Sequence, residues 1–273
     1  MNNQQIYTIS ECNMRTVPLN PLPPIFILRF RSCIYEFIRV KNVLVGRTMV
    51  TQQLWEEVMG NNPSDYIGNN IPVNNISVGD IDGFIGKLNA LTSGHCGYIL
   101  NYRLLEETEW EEIAGDSLSA FGDSETVINA ASSEGFASIS VWGVENSSNK
   151  PRQVSQTPPN EYGLYDMYGN LWEICKFRKE NYKIESHKKN GPNRSDFADD
   201  LAYRNAVLAY KRAELKRKLL CRAKDETLFY VLKGGAWNIP QSGCNKQTRM
   251  KIEYNDRFSN AGFRICVSVG KIE

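Results

Sequence analysis

Between Ile25 and Val50, short runs rich in Ile, Val, Phe and Tyr predict strands. The period then changes. In "TQQLWEEVMG", Leu54, Trp55, Val58 and Met59 recur at helical spacing, with Thr51 placed to cap the start and Gly60 to end it. "NNPSDYIGNNIPVNNIS" is turn-rich and reads as loop. A second helix follows over "VGDIDGFIGKLNALT", where Ile81, Phe84, Ile85, Leu88 and Leu91 share one face although two glycines weaken it. "YRLLEETEWEEIAG" predicts a third, short helix with Trp110 and Ile113 turned inward. From Asp116 to Asn160 the pattern dissolves into Ser, Gly, Asn and Pro with isolated aromatics such as Phe121, Phe136 and Trp142. Long irregular stretches inside a compact chain are functional or held by something other than sheet hydrogen bonds, and metal ions are one such means.

Arg178 to Leu228 changes character. A polar stretch leads into a segment in which Phe197, Leu201, Leu208, Leu215 and Leu219 form one helical stripe, predicting a long helix over 196–223. Ser195 is placed to cap it, with acids near its start and bases toward its end, as the helix dipole favours. The basic half (Lys211, Arg212, Lys216, Arg217, Lys218, Arg222) offers a phosphate or an acidic partner a site; no aromatic residues interleave there, so it reads as a solvated face. The region reads as an inserted helical element, 178–228, within a single domain spanning 1–273. Such an element is suited to docking a partner or a second copy of the chain. After it, "LFYVLKGGAWN" and "AGFRICVSVG" read as strands around a polar, turn-rich segment, and the first forty residues as an edge of the main domain.

Charge narrows the function classes. Thirty-two Lys and Arg balance 31 Asp and Glu for a net charge of +1, so nothing global draws the chain to nucleic acid or an anionic membrane. "PIFILRFRSCIYEFI" is the most apolar early run, but Arg29, Arg31 and Glu36 make it too charged to span a bilayer. The opening "MNNQQIYTISECNM" lacks the basic and apolar regions of a secretory signal, giving an expectation of a cytoplasmic protein. Seven cysteines without a C-x-x-C pair fit reduced thiols acting as small buried hydrophobes, and Cys244 alone carries a candidate role beyond that.

The stretch "GLYDMYGNLWEICKF" places Asp166 and Glu173 on either side of a glycine turn. Two carboxylates and carbonyls turned inward by glycine suit a hard cation. Equally, Asp166 can cap a turn while Glu173 pairs with an arginine.

Six segments in order ("VGRTMVTQQLWEEVMG", "IPVNNISVGDIDGFIGKLNALT", "YRLLEETEWEEIAG", "PNEYGLYDMYGNLWEI", "VLKGGAWN" and "AGFRICVS") resemble the successive motifs of the formylglycine-generating enzyme, or sulfatase-modifying factor, family. The resemblance covers Val40 to Val269 apart from the 178–228 region. It implies an α+β fold, the variant C-type lectin fold, with little regular secondary structure and here an inserted long helix. It also implies a structural calcium ion on the Asp166 and Glu173 side chains and the Gly169 and Leu171 carbonyls. A second calcium site of the family has no counterpart in "VWGVENSSNKPRQ".

The family's oxidases bind copper through two cysteines after the "GG" turn. Here Cys244 stands at one position and Ile239 at the other, which cannot ligate copper, so no copper and no oxidase activity are expected. The iron-dependent sulfoxide synthases of the superfamily need a histidine cluster, and this chain has only His95 and His187. In a third group, the variable proteins of diversity-generating retroelements, the segment between "GGxW" and "GFR" is the ligand-binding surface. The corresponding residues here, Trp237, Asn238, Gln241, Ser242, Asn245, Gln247, Tyr254, Asn255 and Arg257, suit adaptable recognition. Phe263 reads as core, and Arg264 as a tie to a nearby carboxylate or carbonyl. The expectation is a non-catalytic scaffold binding a protein or other ligand; the alternative is an atypical oxidoreductase using Cys244.

Overall fold

The computed structural model describes residues 6–8, 25–30, 32–41, 43–92, 98–115, 141–178, 192–197, 199–204, 206–207, 210–211 and 228–271. The chain divides into two compact units, Met1–Lys176 with Tyr230–Glu273, and Phe177–Phe229. His95, His187, Phe121, Phe136, Cys12, Cys96, Cys221 and the helix-stripe residues Leu208, Leu215 and Leu219 lie outside the described residues or their described side chains.

In the first unit, strands β1 (Ile6–Thr8), β2 (Ile25–Phe30), β3 (Cys33–Val40) and β4 (Val43–Gly46) begin a six-stranded sheet. Its order is β1-β2-β3-β4-β10-β5, completed by β5 (Tyr98–Leu104) and the last strand, β10 (Ile265–Lys271). Alternation explains the orientation of β3: Cys33, Tyr35 and Phe37 are buried while Ile34 faces outward. β10 runs antiparallel between β4 and β5, pairing Cys266 with both Val45 and Arg103.

Helix α1 (Gln52–Met59) begins and ends where the pattern predicts. The Thr51 hydroxyl accepts from the Leu54 amide at 3.3 Å, and Gly60, in the left-handed region at φ 83°, donates its amide to the Glu56 carbonyl. Helix α2 (Val78–Thr92) buries Ile81, Phe84 and Leu88, whereas Leu91, expected on the same face, stays exposed because it lies at the margin of the apolar stripe. Trp55 of α1 stacks on Phe84 of α2 at 5.2 Å, and Phe263 meets both rings edge-on. Phe263 is thus core, as its neighbourhood in "AGFR" predicts. Helix α3 (Glu107–Ile113) starts at Glu106 with a reciprocal capping box to Glu109 and turns Trp110 and Ile113 inward.

The remaining strands are β6 (Trp172–Arg178), β7 (Leu228–Lys233), β8 (Arg249–Ile252) and β9 (Ala261–Gly262), in the sheet order β8-β7-β6-β9. Lys233 on β7 is fully buried. Its ammonium reaches Glu111 at 3.1 Å and Glu107 at 3.5 Å and lies over the Trp110 ring.

In the second unit, Phe177 and Phe229 stack at 4.0 Å where the chain enters and leaves. The described residues between 200 and 211 are helical, in agreement with the amphipathic pattern, but the start differs from expectation. Ser195 sits in a separate 3-10 turn, Arg194–Asp196, and the helix is capped instead by Asp199, whose carboxylate accepts from the Ala202 amide at 2.7 Å. Arg194 locks this turn by donating to the Phe197 carbonyl and pairing with Asp200, so the chain is held extended at Phe197 before the helix begins. Leu201 is exposed.

Candidate functional site

The loop from Trp237 to Arg257 carries most of the predicted binding residues. The paired glycines before it explain its course. Gly234 and Gly235 have φ of 88° and 86°, and a Cβ at Gly235 would lie 2.6 Å from the Cys244 sulfur. Close backbone approach brings the two positions expected to matter for copper together: the Cys244 sulfur lies 4.0 Å from the Ile239 carbonyl. Ile239 packs against the core and Cys244 is fully buried, with its thiol pushed up to about 12 by burial. Burial therefore disfavours its thiolate at neutral pH. One sulfur, with an aliphatic residue at the other position, does not fit a copper ion, which needs two soft ligands here.

The nine predicted surface residues separate into two kinds. Asn238, Ser242, Gln247, Tyr254, Asn255 and Arg257 are exposed, while Trp237, Gln241 and Asn245 are half-buried. Gln241 is used internally, its amide group donating to the Val141 carbonyl at 2.9 Å and its backbone amide to Glu145. Asn245 accepts from the Gln247 and Thr248 amides and shapes the turn. Tyr254 donates to Asp82 at 2.8 Å and Arg257 pairs with Asp80, fastening the far end of the loop to α2. Trp237 takes its backbone position from Asn170 and Ser147, and its indole N–H is buried without a partner among the described residues. Adaptable side chains therefore stand on a loop fixed at both ends.

Asp166, Gly169 and Leu171 occupy the turn leading into β6, and Glu173 is the second residue of that strand. Asp166 has φ 54°, tolerated by Asp, and its buried carboxylate accepts from the Ser155 amide at 3.0 Å and the Thr157 hydroxyl at 3.1 Å. Burial pushes this carboxyl from its ordinary 3.8 up to about 6, against the opposing pull of those donors and of Arg264. Gly169 also needs its left-handed φ of 76°, and a Cβ there would collide with the Trp142 carbonyl. The Glu173 carboxylate receives the Arg264 guanidinium, with contacts of 2.6 and 3.1 Å, and the Trp110 indole N–H at 3.0 Å. Arg264 also donates to the Gly46 and Tyr165 carbonyls, binding both kinds of acceptor its position predicts.

A calcium ion here would have to compete with these protein donors. Such an ion needs about six to eight oxygens, whereas both carboxylates here are occupied by protein donors. A guanidinium already supplies the positive charge beside Glu173. Among the described residues, no group of three or more His, Cys, Asp or Glu side chains gathers at a distance suited to a metal.

Arg152 and Asn170, which the sequence pattern did not single out, lie beside this turn. Arg152 lies 5.1 Å over the Trp142 ring, and its backbone exchanges hydrogen bonds with the Asn170 side chain. The only sequence signal for Arg152 is the basic pair in "NKPRQ" downstream of "VWG".

Residues 27–269 match the sulfatase-modifying factor enzyme 1-like domain, the FGE-sulfatase family. Among solved structures, the Treponema denticola variable protein 1 is similar with a TM-score of 0.61 and 22% identity, over 90% of this chain and 99% of that one. PvdO from Pseudomonas aeruginosa is similar with a TM-score of 0.51 and 17% identity, over 88% and 85%. Chaperone protein LppX of Paenibacillus barcinonensis is 24% identical over 176 residues, which is 50% of this chain and 63% of that relative, so the match spans less than two thirds of its length. The likeness to the solved structures runs through most of the chain, and the fold is the variant C-type lectin fold in α+β form. With 243 of its 273 residues inside the family match, counted from 27 to 269, the chain belongs to the FGE-sulfatase family of sulfatase-modifying factor enzyme 1-like domains.

Proposed function

We propose that the chain is a non-catalytic binding scaffold that recognises a protein or other ligand through the exposed side chains of the Trp237 to Arg257 loop. The observation that carries this reading is the buried Cys244 thiol beside Ile239, where the family's oxidases use two cysteines. Removing one of two soft ligands leaves copper without its site while the glycine turn and the loop persist. Two likenesses support a protein ligand: one solved neighbour is a variable protein, and one relative is described as a chaperone. The test is incubation of the full chain with copper, oxygen and a cysteine-containing peptide. No aldehyde product is expected; turnover that disappears in Cys244→Ser would overturn the proposal and establish the oxidoreductase alternative.

A further inference from the structure

A concave feature lies apart from the Cys244 loop: a cavity of about 290 Å³ between the loop that follows α1 and the segment 150–156. Tyr66, Ile67 and Ile71 form an apolar wall, and Lys150, Arg152 and Gln156 a polar one. Ile67 is 72% exposed and Tyr66 39%, so the apolar wall faces solvent. The polar wall carries two cations, and among the described residues no carboxylate lines the cavity. Neither cation forms an ion pair among the described residues.

Arg152 is held before any ligand arrives. Its guanidinium lies over Trp142, and Nη2 donates to Ser148 Oγ at 2.7 Å and to the Asn146 carbonyl at 3.4 Å. Its Nε is buried with no partner among the described residues, so neutral acceptors leave its donors incompletely used and its charge unbalanced. A cation fixed in this way loses little side-chain entropy on binding. Lys150 is exposed and supplies a second charge to the lining.

Size and lining define the ligand. Small-molecule sites begin at roughly 300 Å³, so this cavity, at the small end of that range, suits a group the size of one amino acid. The basic wall calls for an anion and the apolar wall for a hydrocarbon body attached to it. We propose that this cavity binds a small amphipathic carboxylate, such as the terminal carboxylate and apolar last side chain of a peptide, or a free acid of the same form. The proposal stands whether or not the Trp237 to Arg257 loop binds a ligand.

The test is titration calorimetry on the full chain with N-acetylphenylalanine, its uncharged amide, inorganic phosphate, and a glycine pentapeptide extended by a C-terminal phenylalanine. The acid should bind at least about tenfold more tightly than the amide, as loss of a charge-assisted hydrogen bond implies, and more tightly than phosphate, which lacks the apolar body. Tighter binding of the peptide than of the acid identifies a chain end as the source of the group; equal affinity identifies a free acid. Lys150→Gln should weaken the acid several-fold and Ile67→Asp should abolish its binding; both positions are exposed, and unchanged melting curves would show the fold intact. Equal affinity for acid and amide, phosphate as tight as the acid, no binding of the acid up to millimolar concentration, or variants that bind like the parent would each overturn the proposal.

Discussion

Arg264 shows how one side chain decides the chemistry around it. Its guanidinium is fully buried, pairs with Glu173 and closes onto two backbone carbonyls, while Glu173 also takes the Trp110 indole. Burying two charges costs several kcal/mol each, and only near-complete hydrogen bonding recovers it. Removing one partner leaves the other charge uncompensated. Arg264→Met is therefore expected to lower unfolding free energy by about 3–5 kcal/mol, measured by urea titration, and Glu173→Gln added to it should recover part of the loss. Equal, additive losses for the two changes would show that the pair does not act as a unit. The ionic role of Arg264 was legible in the sequence, because a lone arginine between core residues in "AGFRICVS" must find an acceptor. Its partner was not, since 91 residues separate the two and nothing local selects Glu173 over other acids.

Among the elements, the short-range ones were the legible ones. Thr51, Gly60 and the apolar stripes of α1 and α2 act within a few residues, so the pattern alone places those helices. Sheet order is a long-range property. The insertion of β10 between β4 and β5 and the parallel pairing of β6 with β9 leave no local trace. Lys233 was hidden for the same reason, because a lysine at the end of a strand reads as solvent-facing until Glu107 and Glu111 of α3 are brought beneath it. The change of character in the 178–228 region was visible from composition, and residues 177–229 form a compact unit of their own. Phe177 and Phe229 stack at 4.0 Å, so the chain leaves and returns at one place. Deleting Ser195 to Lys224 should consequently leave the remainder folded, with its melting transition retained, because a loop anchored at neighbouring points is shortened at little entropic cost. If the helix docks a partner or a second copy, the deletion will also lower the sedimentation coefficient at high concentration. A lost melting transition would show that this unit is integral to the fold.

For the molecule as a whole, the question raised by its irregular stretch is what replaces sheet hydrogen bonds. In its described part, 141–160, and in the residues that follow up to 171, asparagine side chains do so. Asn146 accepts from the Gly143 amide and donates to the Val141 carbonyl, Asn160 spans the Tyr162 and Leu164 amides and the Ile113 carbonyl, and Asn170 bridges both backbone groups of Arg152. Each amide side chain offers a donor and an acceptor, so it can stand in for a strand neighbour on both counts. Asp166 holds Ser155 and Thr157 in the same manner, and Arg264 brings a positive charge to Glu173. An ion bound only by the folded state raises stability by mass action, by about 2.7 kcal/mol at a hundredfold excess over its dissociation constant. A loop held by its own side chains gains nothing of that kind. The melting temperature of the purified chain should hence be the same, within about 1 °C, in millimolar calcium and in chelator, since one kcal/mol moves a domain of this size by roughly 2–4 °C. A fall in chelator, together with about one calcium per chain by elemental mass spectrometry, would show instead that Asp166 and Glu173 release their protein donors to an ion.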